Sequence, residues 1–242
     1  MVQFNTFKGS NLDKLLAEGK YRMGTEMLTC DYIINEHYQL LNVIWARYLV
    51  NNAFSPLNHK VFKKAKNFAI KLSEFIITDE IRELAHKYCN SRDIEVNFDE
   101  KYFFNEHGIN PFDTKTILIY DENKLIAVGY FDEGLDCIMG LKNLFDPDYH
   151  KYSLGKLMML IKMQYCIERQ ISYYYPGYIA CESDIFDYKL FFQAESIELK
   201  INGYWINFAH FESKQHACDT QVMKYELKRR EDNLDEGNTD SI

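Results

Sequence analysis

The spacing of apolar residues changes along the chain, and each change predicts an element. NLDKLLAEG reads as a short helix ending at Gly19, and KYRMGTEML as an irregular or extended piece. From Tyr38 to Leu49, Leu41, Ile44, Trp45 and Tyr48 recur at helical spacing, which predicts a helix. NFAIKL alternates Phe68, Ile70 and Leu72 and predicts a strand. Thr78 then stands as an N-cap before DEIRELAHKY, with Ile81, Leu84, Ala85 and Tyr88 on one face. After the polar break CNSRDIEVNFDEK the rhythm becomes that of strands: TILIYD, KLIAVGYFD and LDCIMGLKNLF, the first two joined by the turn DENK.

DPDYHKYSLGKLMMLIKM follows, a polar bend leading into a long apolar helix that runs to about Arg169. Leu157, Ile161 and Tyr165, with Met158, Leu160 and Ile167, make this helix apolar over much of its circumference, so it is expected to be covered on more than one side. SYYYPGYIA predicts a further strand, IFDYKLFF another element, and KINGYWINF a strand or hairpin piece. The order predicts an α+β (mixed α/β) arrangement.

Two readings of Ser153-Leu154-Gly155 stand side by side. In one, Ser153 caps the helix and Gly155 relieves crowding against a strand. In the other, the helix start presents backbone N–H groups to an anion. The spacing matches neither a Walker loop nor G-x-G-x-x-G.

At 242 residues the chain suits one large domain or two small ones, and 47% apolar residues mark it as folded. A formal charge of −8 means that any nucleic-acid contact must rest on a local patch. HKVFKKAKNFAIK offers one, with Lys60, Lys63, Lys64, Lys66 and Lys71; the alternative is a solvated helix face. The six cysteines form no C-x-x-C and no zinc-spaced cluster, so no metal or cofactor is expected, and they read as buried thiols in a reducing compartment. MVQFNTFKGSN has neither a charged start nor an apolar run, and no stretch reaches membrane-spanning length, which predicts a cytoplasmic protein without a membrane partner. Arg229 onward, polar and aperiodic, reads as a frayed tail.

DPDYHKYSLGKL, ISYYYPGYI and FDYKL, in this order, resemble the catalytic half of the aminoacyl-tRNA–protein transferases, the arginyl- and leucyl-transferases of the N-degron pathway. Asp146, Pro147, Ser153, Leu154 and Gly155 match the family's loop. Tyr174, Tyr175, Gly177 and Tyr178 match its strand, with Pro176 in place of the more usual leucine, and Tyr188 and Lys189 match its last element. LLAEGKYRMG and TDEIRELAHKY resemble upstream family segments more loosely. The family's paired N-terminal cysteines are absent, since Cys30 stands alone, so no metal or iron–sulfur site carries across.

The resemblance implies a GCN5-related acetyltransferase-like central sheet with flanking helices over residues 96–228, preceded by a smaller α+β region over 1–95. It implies transfer of arginine or leucine from charged tRNA to the N-terminal amine of a protein beginning with Asp or Glu. Asp187, Tyr188 and Lys189 become the candidates for proton handling, and Tyr152, Ser153, Leu154 and Gly155 the donor-binding loop. An acidic acceptor calls for an arginine fork, for which Arg22 and then Arg47 are the candidates, beside Tyr174, Gly177 and Tyr178 in an aminoacyl or acceptor pocket. Lys60, Lys63 and Lys64 are the tRNA contacts, and no DNA contact is implied. Two alternatives remain open: an acetyl-CoA-dependent N-acetyltransferase, against which the missing glycine-rich pyrophosphate signature counts, and a family member that binds without transfer.

Overall fold

The computed structural model describes residues 6–35, 37–50, 55–92 and 102–221. The expected boundary at 95/96, most of the polar break and the tail from Arg229 lie outside these residues. The chain forms two compact units, Met1–Thr29 with Arg47–Gly177, and Cys30–Ala46 with Tyr178–Ile242.

In the first unit, α1 (Ser10–Ala17) ends as expected, with Gly19 at φ 87°, and leads into the hairpin of β1 (Tyr21–Met23) and β2 (Glu26–Leu28). The strand β4 (Leu40–Leu49) enters this unit at Arg47, after β3 (Tyr32–Ile34) in the other. The helix expected over Tyr38–Leu49 is this strand. Val43 to Ala46 are all buried, and a buried run of β-branched and aromatic residues imitates a helical stripe.

A short helix α2 (Lys60–Lys64) precedes β5 (Ala69–Glu74) and α3 (Asp79–Asn90). Thr78 accepts from the Ile81 N–H at 3.3 Å, the expected cap. The strands β6 (Thr114–Asp121), β7 (Lys124–Glu133) and β8 (Cys137–Phe145) extend the sheet antiparallel from β5. α4 (Leu154–Arg169) then returns the chain to β9 (Tyr173–Ala180), which pairs parallel with β8 from Cys137↔Tyr173 to Met139↔Tyr175. Strand, loop, helix and parallel strand is the layout expected of the acyltransferase-like sheet.

β7 is buried from Leu125 to Asp132 because helices cover it on both sides. On one side Val128 and Tyr130 join Ile81, Leu84 and Ala85 of α3 in a common core. On the other, Phe131 meets Tyr165 of α4 at 5.0 Å. Each fully buried leucine of α4, such as Leu157 and Leu160, contributes about 2 kcal/mol through burial. α4 is covered on more than one side, as its composition predicts.

In the second unit β3 pairs antiparallel with the start of β4. β10 (Ile197–Ile201) and β11 (Tyr204–Asn207) form a hairpin through Asn202 and Gly203, both at positive φ. Cys181 and Cys218 form a disulfide with Cα atoms 5.6 Å apart, which corrects the expectation of six thiols. Cys218 lies in helix 214–221 and Cys181 directly after β9, 37 residues away in sequence, so only the fold reveals the pairing.

Candidate functional site

The loop before α4 is built on a buried acid. Asp146 accepts from Lys87 of α3 at 2.6 Å and from Lys124 of β7 at 2.7 Å, and its side chain also takes the Asp148 N–H at 3.0 Å. Burial pushes its carboxyl upward, but the two lysines outweigh that and bring it down to about 2. A helical turn, Pro147–Tyr152, runs from this anchor to Ser153.

Ser153 occupies the cap position of α4 but adopts the left-handed conformation, φ 54° and ψ 50°, without a side-chain cap hydrogen bond. The capping reading therefore fails. A non-glycine residue there carries about 1 kcal/mol of local strain, held in place by the loop on one side and α4 on the other. A Cβ on Gly155 would stand 3.5 Å from the Phe145 ring, an ordinary contact, so crowding does not require this glycine. Leu154 is buried, whereas Ser153 is exposed.

Tyr152 leans against Phe68 at 4.8 Å, which places the loop beside the segment carrying Lys60, Lys63 and Lys64. All three lysines are exposed.

The two arginines differ. Arg22 is closed inside the fold: its guanidinium bonds Asp132 at 2.8 and 3.1 Å, Thr114 Oγ1 at 3.0 Å and the carbonyls of Gly24 and Phe103. Both side chains of the Arg22–Asp132 pair are fully buried, which removes Arg22 as an acceptor-binding fork. Burial pushes the Asp132 carboxyl up, while Arg22 and the Thr114 hydroxyl pull it back. Arg47 is half-buried, 4.3 Å over the Tyr173 ring, and donates to the Tyr175 hydroxyl at 3.4 Å. Tyr174 faces the other way and packs on Tyr48 at 5.2 Å, the alternation a strand imposes. Gly177 adopts φ 101°, a conformation that favours glycine.

In the second unit, Asp187, Tyr188 and Lys189 share the short helical turn Asp187–Leu190. Lys189 is 7% exposed, and its ammonium donates to the Tyr178 carbonyl at 2.6 Å. The rings of Phe186 and Tyr178 lie 4.6 and 4.9 Å from its Nζ. Burial pushes the ammonium down to about 7, so an appreciable fraction is neutral near physiological pH. Tyr188 is 43% exposed beside it. Tyr178 packs on Trp45 at 5.0 Å. Asp187 accepts from Lys214 at 2.7 Å, and Lys214 also donates to the carbonyls of Ala180 and Ser183. An amine at Lys189 and a carboxylate at Asp187 can accept protons, and the carboxylate is the one already held by a cation.

Sequence reasoning missed Lys214, which stands 27 residues beyond its partner in a segment without a family motif. It also missed Lys162, a fully buried lysine of α4 that donates to the Tyr130 carbonyl and to Asn143 Oδ1. Its signal was a lysine inside LMMLIKM, at a position that the apolar pattern marks as buried. Among the described residues no group of three or more His, Cys, Asp or Glu is placed to hold a metal ion, and no helix is long and apolar enough to cross a membrane.

The sequence profile described as "Arginine-tRNA-protein transferase, C terminus" matches residues 80–198, a span that holds the loop, β9 and Lys189. The chain is 28% identical over 151 residues to an aspartate/glutamate leucyltransferase of Campylobacter jejuni subsp. jejuni serotype O:6, covering 59% of this chain and 63% of that protein. It is 27% identical over 156 residues to the aspartate/glutamate leucyltransferase of Saccharophagus degradans, covering 62% and 64%. The matches thus span less than two thirds of these relatives' length. Among solved structures, L-PGS from Bacillus licheniformis aligns at TM-score 0.44 and 9% identity over 71% of this chain and 50% of that one. FemX aligns at TM-score 0.44 and 12% identity over 76% and 63%.

Proposed function

We propose that this chain, similar over residues 80–198 to the arginine-tRNA-protein transferases, moves an amino acid from charged tRNA to the N-terminal amine of an acceptor protein. The names of the relatives favour leucine as the group transferred and an Asp or Glu start as the acceptor. The work is cytoplasmic in this reading, where charged tRNA is available.

The observation that carries the proposal is Lys189. It is a buried amine, lowered to about 7, in the Tyr-Lys element that the sequence shares with the family. An acceptor's α-ammonium must lose a proton before it can attack, and a neutral Lys189 held on the Tyr178 carbonyl is suited to take it. The amine nitrogen then attacks the ester carbonyl carbon of the aminoacyl-tRNA. The new amide C–N bond forms, the ester C–O bond breaks, and the ribose oxygen leaves with a proton. The bond is already activated, so positioning supplies most of the acceleration.

Tyr152, Ser153, Leu154 and Gly155 serve the donor end, and Lys60, Lys63 and Lys64 the tRNA backbone. Arg47 replaces Arg22 as the group for an acidic acceptor, with Tyr174, Gly177 and Tyr178 shaping the strand beside it. Asp187 and Tyr188 support Lys189.

The test supplies the full chain with leucyl-, arginyl- and other aminoacyl-tRNAs and with peptides that begin with Asp, Glu or Lys. Transfer of leucine to the Asp and Glu peptides is expected. Acetylation of those peptides from acetyl-CoA, with no transfer from any tRNA, would overturn the proposal.

A further inference from the structure

Three aromatic rings meet beside the lysines of α2, outside the proton-handling residues. Phe68 lies 4.8 Å from Tyr152 and 6.0 Å from Tyr149, and Tyr149 and Tyr152 are themselves 6.0 Å apart. All three are half-buried, so each ring keeps an accessible part. Two cations already lie over these faces: Lys124 Nζ is 5.1 Å from the Tyr149 ring, and Lys151 Nζ is 5.1 Å from the Tyr152 ring.

The surroundings are basic although the whole chain carries −8. Lys60, Lys63, Lys64, Lys66, Lys71 and Lys151 are exposed along the same stretches. The nearby acids are already engaged: Asp146 and Asp148 by Lys87, and Asp121 by the Tyr149 hydroxyl at 2.8 Å.

Resting on the reading of a tRNA-dependent transferase, we infer that Phe68, Tyr149 and Tyr152 form a stacking platform for unpaired nucleotides at the acceptor end of the tRNA. A protein or lipid partner would answer the charge or the rings, but an unpaired RNA end answers both. Its bases stack on aromatic faces, and its phosphates pair with the lysines around them. Tyr149 and Tyr152 belong to the turn that ends at Ser153, so nucleotides stacked there lie next to the donor loop.

The test measures affinity of the full chain for intact tRNA and for the same tRNA trimmed of its unpaired 3′ nucleotides. Wild type is expected to prefer the intact form. Phe68→Ala with Tyr152→Ala should weaken intact tRNA by about tenfold or more and abolish the preference, because stacking supplies it. Replacing Lys60, Lys63 and Lys64 by Ala should weaken both forms alike and flatten the salt dependence. Tyr152→Trp keeps a ring and supplies a fluorophore, which intact tRNA should quench and trimmed tRNA should not. A preference for intact tRNA that survives in the double variant, or equal quenching of Tyr152→Trp by both forms, would overturn the platform while leaving the transferase reading standing. A wild-type chain that transfers no amino acid would instead overturn the transferase reading.

Discussion

Among the described residues two lysines are buried, one in each compact unit, and both are pushed down to about 7 by the loss of water. Lys162 sits inside the first unit with no exposure, its ammonium donating to the Tyr130 carbonyl and to Asn143. Lys189 lies among Tyr178, Phe186 and Tyr188 on a turn whose neighbour Tyr188 is exposed. The same shift has different meanings in the two places. On the proposed reading, Lys162, enclosed by core atoms, does not exchange a proton with a substrate, whereas Lys189, which keeps 7% of its surface exposed on a short turn, does. Perturbation marks a candidate, and access decides its role.

The sharpest way to break the comparison is to remove each amine in turn. Lys189→Met should lower the transfer rate by about a hundred- to ten-thousandfold, the usual share of a general base, with little change in thermal midpoint. Lys162→Met should leave the rate within a few fold and act on stability instead. Equal rate losses in the two variants would erase the distinction. Lys189→Arg keeps a charge that cannot be lost and should be as inactive as Lys189→Met. With Lys189 as the base, wild-type transfer should rise with pH and level off above about 7.

The Arg22–Asp132 pair extends the contrast to the other buried charges of the first unit. Asp132→Asn leaves the guanidinium buried without its counter-charge and should cost about 3–5 kcal/mol in urea unfolding. Arg47→Ala, which uncovers a half-buried group, should cost less than a third of that while weakening acidic acceptors. A large stability loss for Arg47→Ala would place it among structural arginines like Arg22.

Much of the fold was legible because its signals are local. The Thr78 cap, the DENK turn between β6 and β7, and the Asn202-Gly203 hairpin are each written within a few residues. β4 was misread because its centre, Val43 to Ala46, is buried on both faces and shows no alternation. What remained illegible is pairing at a distance. Arg22 and Asp132 stand 110 residues apart, and nothing in KYRMG shows that an aspartate waits on β7. Lys189 was found through a motif and Lys162 was not, although their physical states are alike. On the proposed reading the motif records chemistry, whereas burial of Lys162 follows from packing between α4 and the sheet.

Lys162 itself can be read from the pH dependence of stability. Its folded pKa lies below the unfolded value near 10, so between about 7 and about 10 the unfolded chain binds the extra proton. Stability therefore rises with pH across that window, by at most about 1.4 kcal/mol per unit for each such lysine. Lys162→Met should remove its share of the slope, as measured by urea unfolding at pH 7, 8 and 9. An unchanged slope would mean that Lys162 is not the group that titrates.

Asp146 tests how the loop differs from the core. Burial raises its carboxyl, but Lys124 and Lys87 prevail and set it at about 2, below the unfolded value near 4. The stabilisation is thus complete above about pH 4 and is lost as the pH falls through about 2; stability rises with pH as it does for Lys162, but in an acidic window. Asp146→Asn should cost about 2 kcal/mol at pH 7 and less at pH 2, because the wild type loses its advantage there. Both lysine partners are about half exposed, so salt should reduce the cost at pH 7, unlike that of Asp132→Asn. Urea unfolding of both variants in 0.1 and 1 M salt decides the matter, since equal salt insensitivity would place Asp146 with the closed charges of the core.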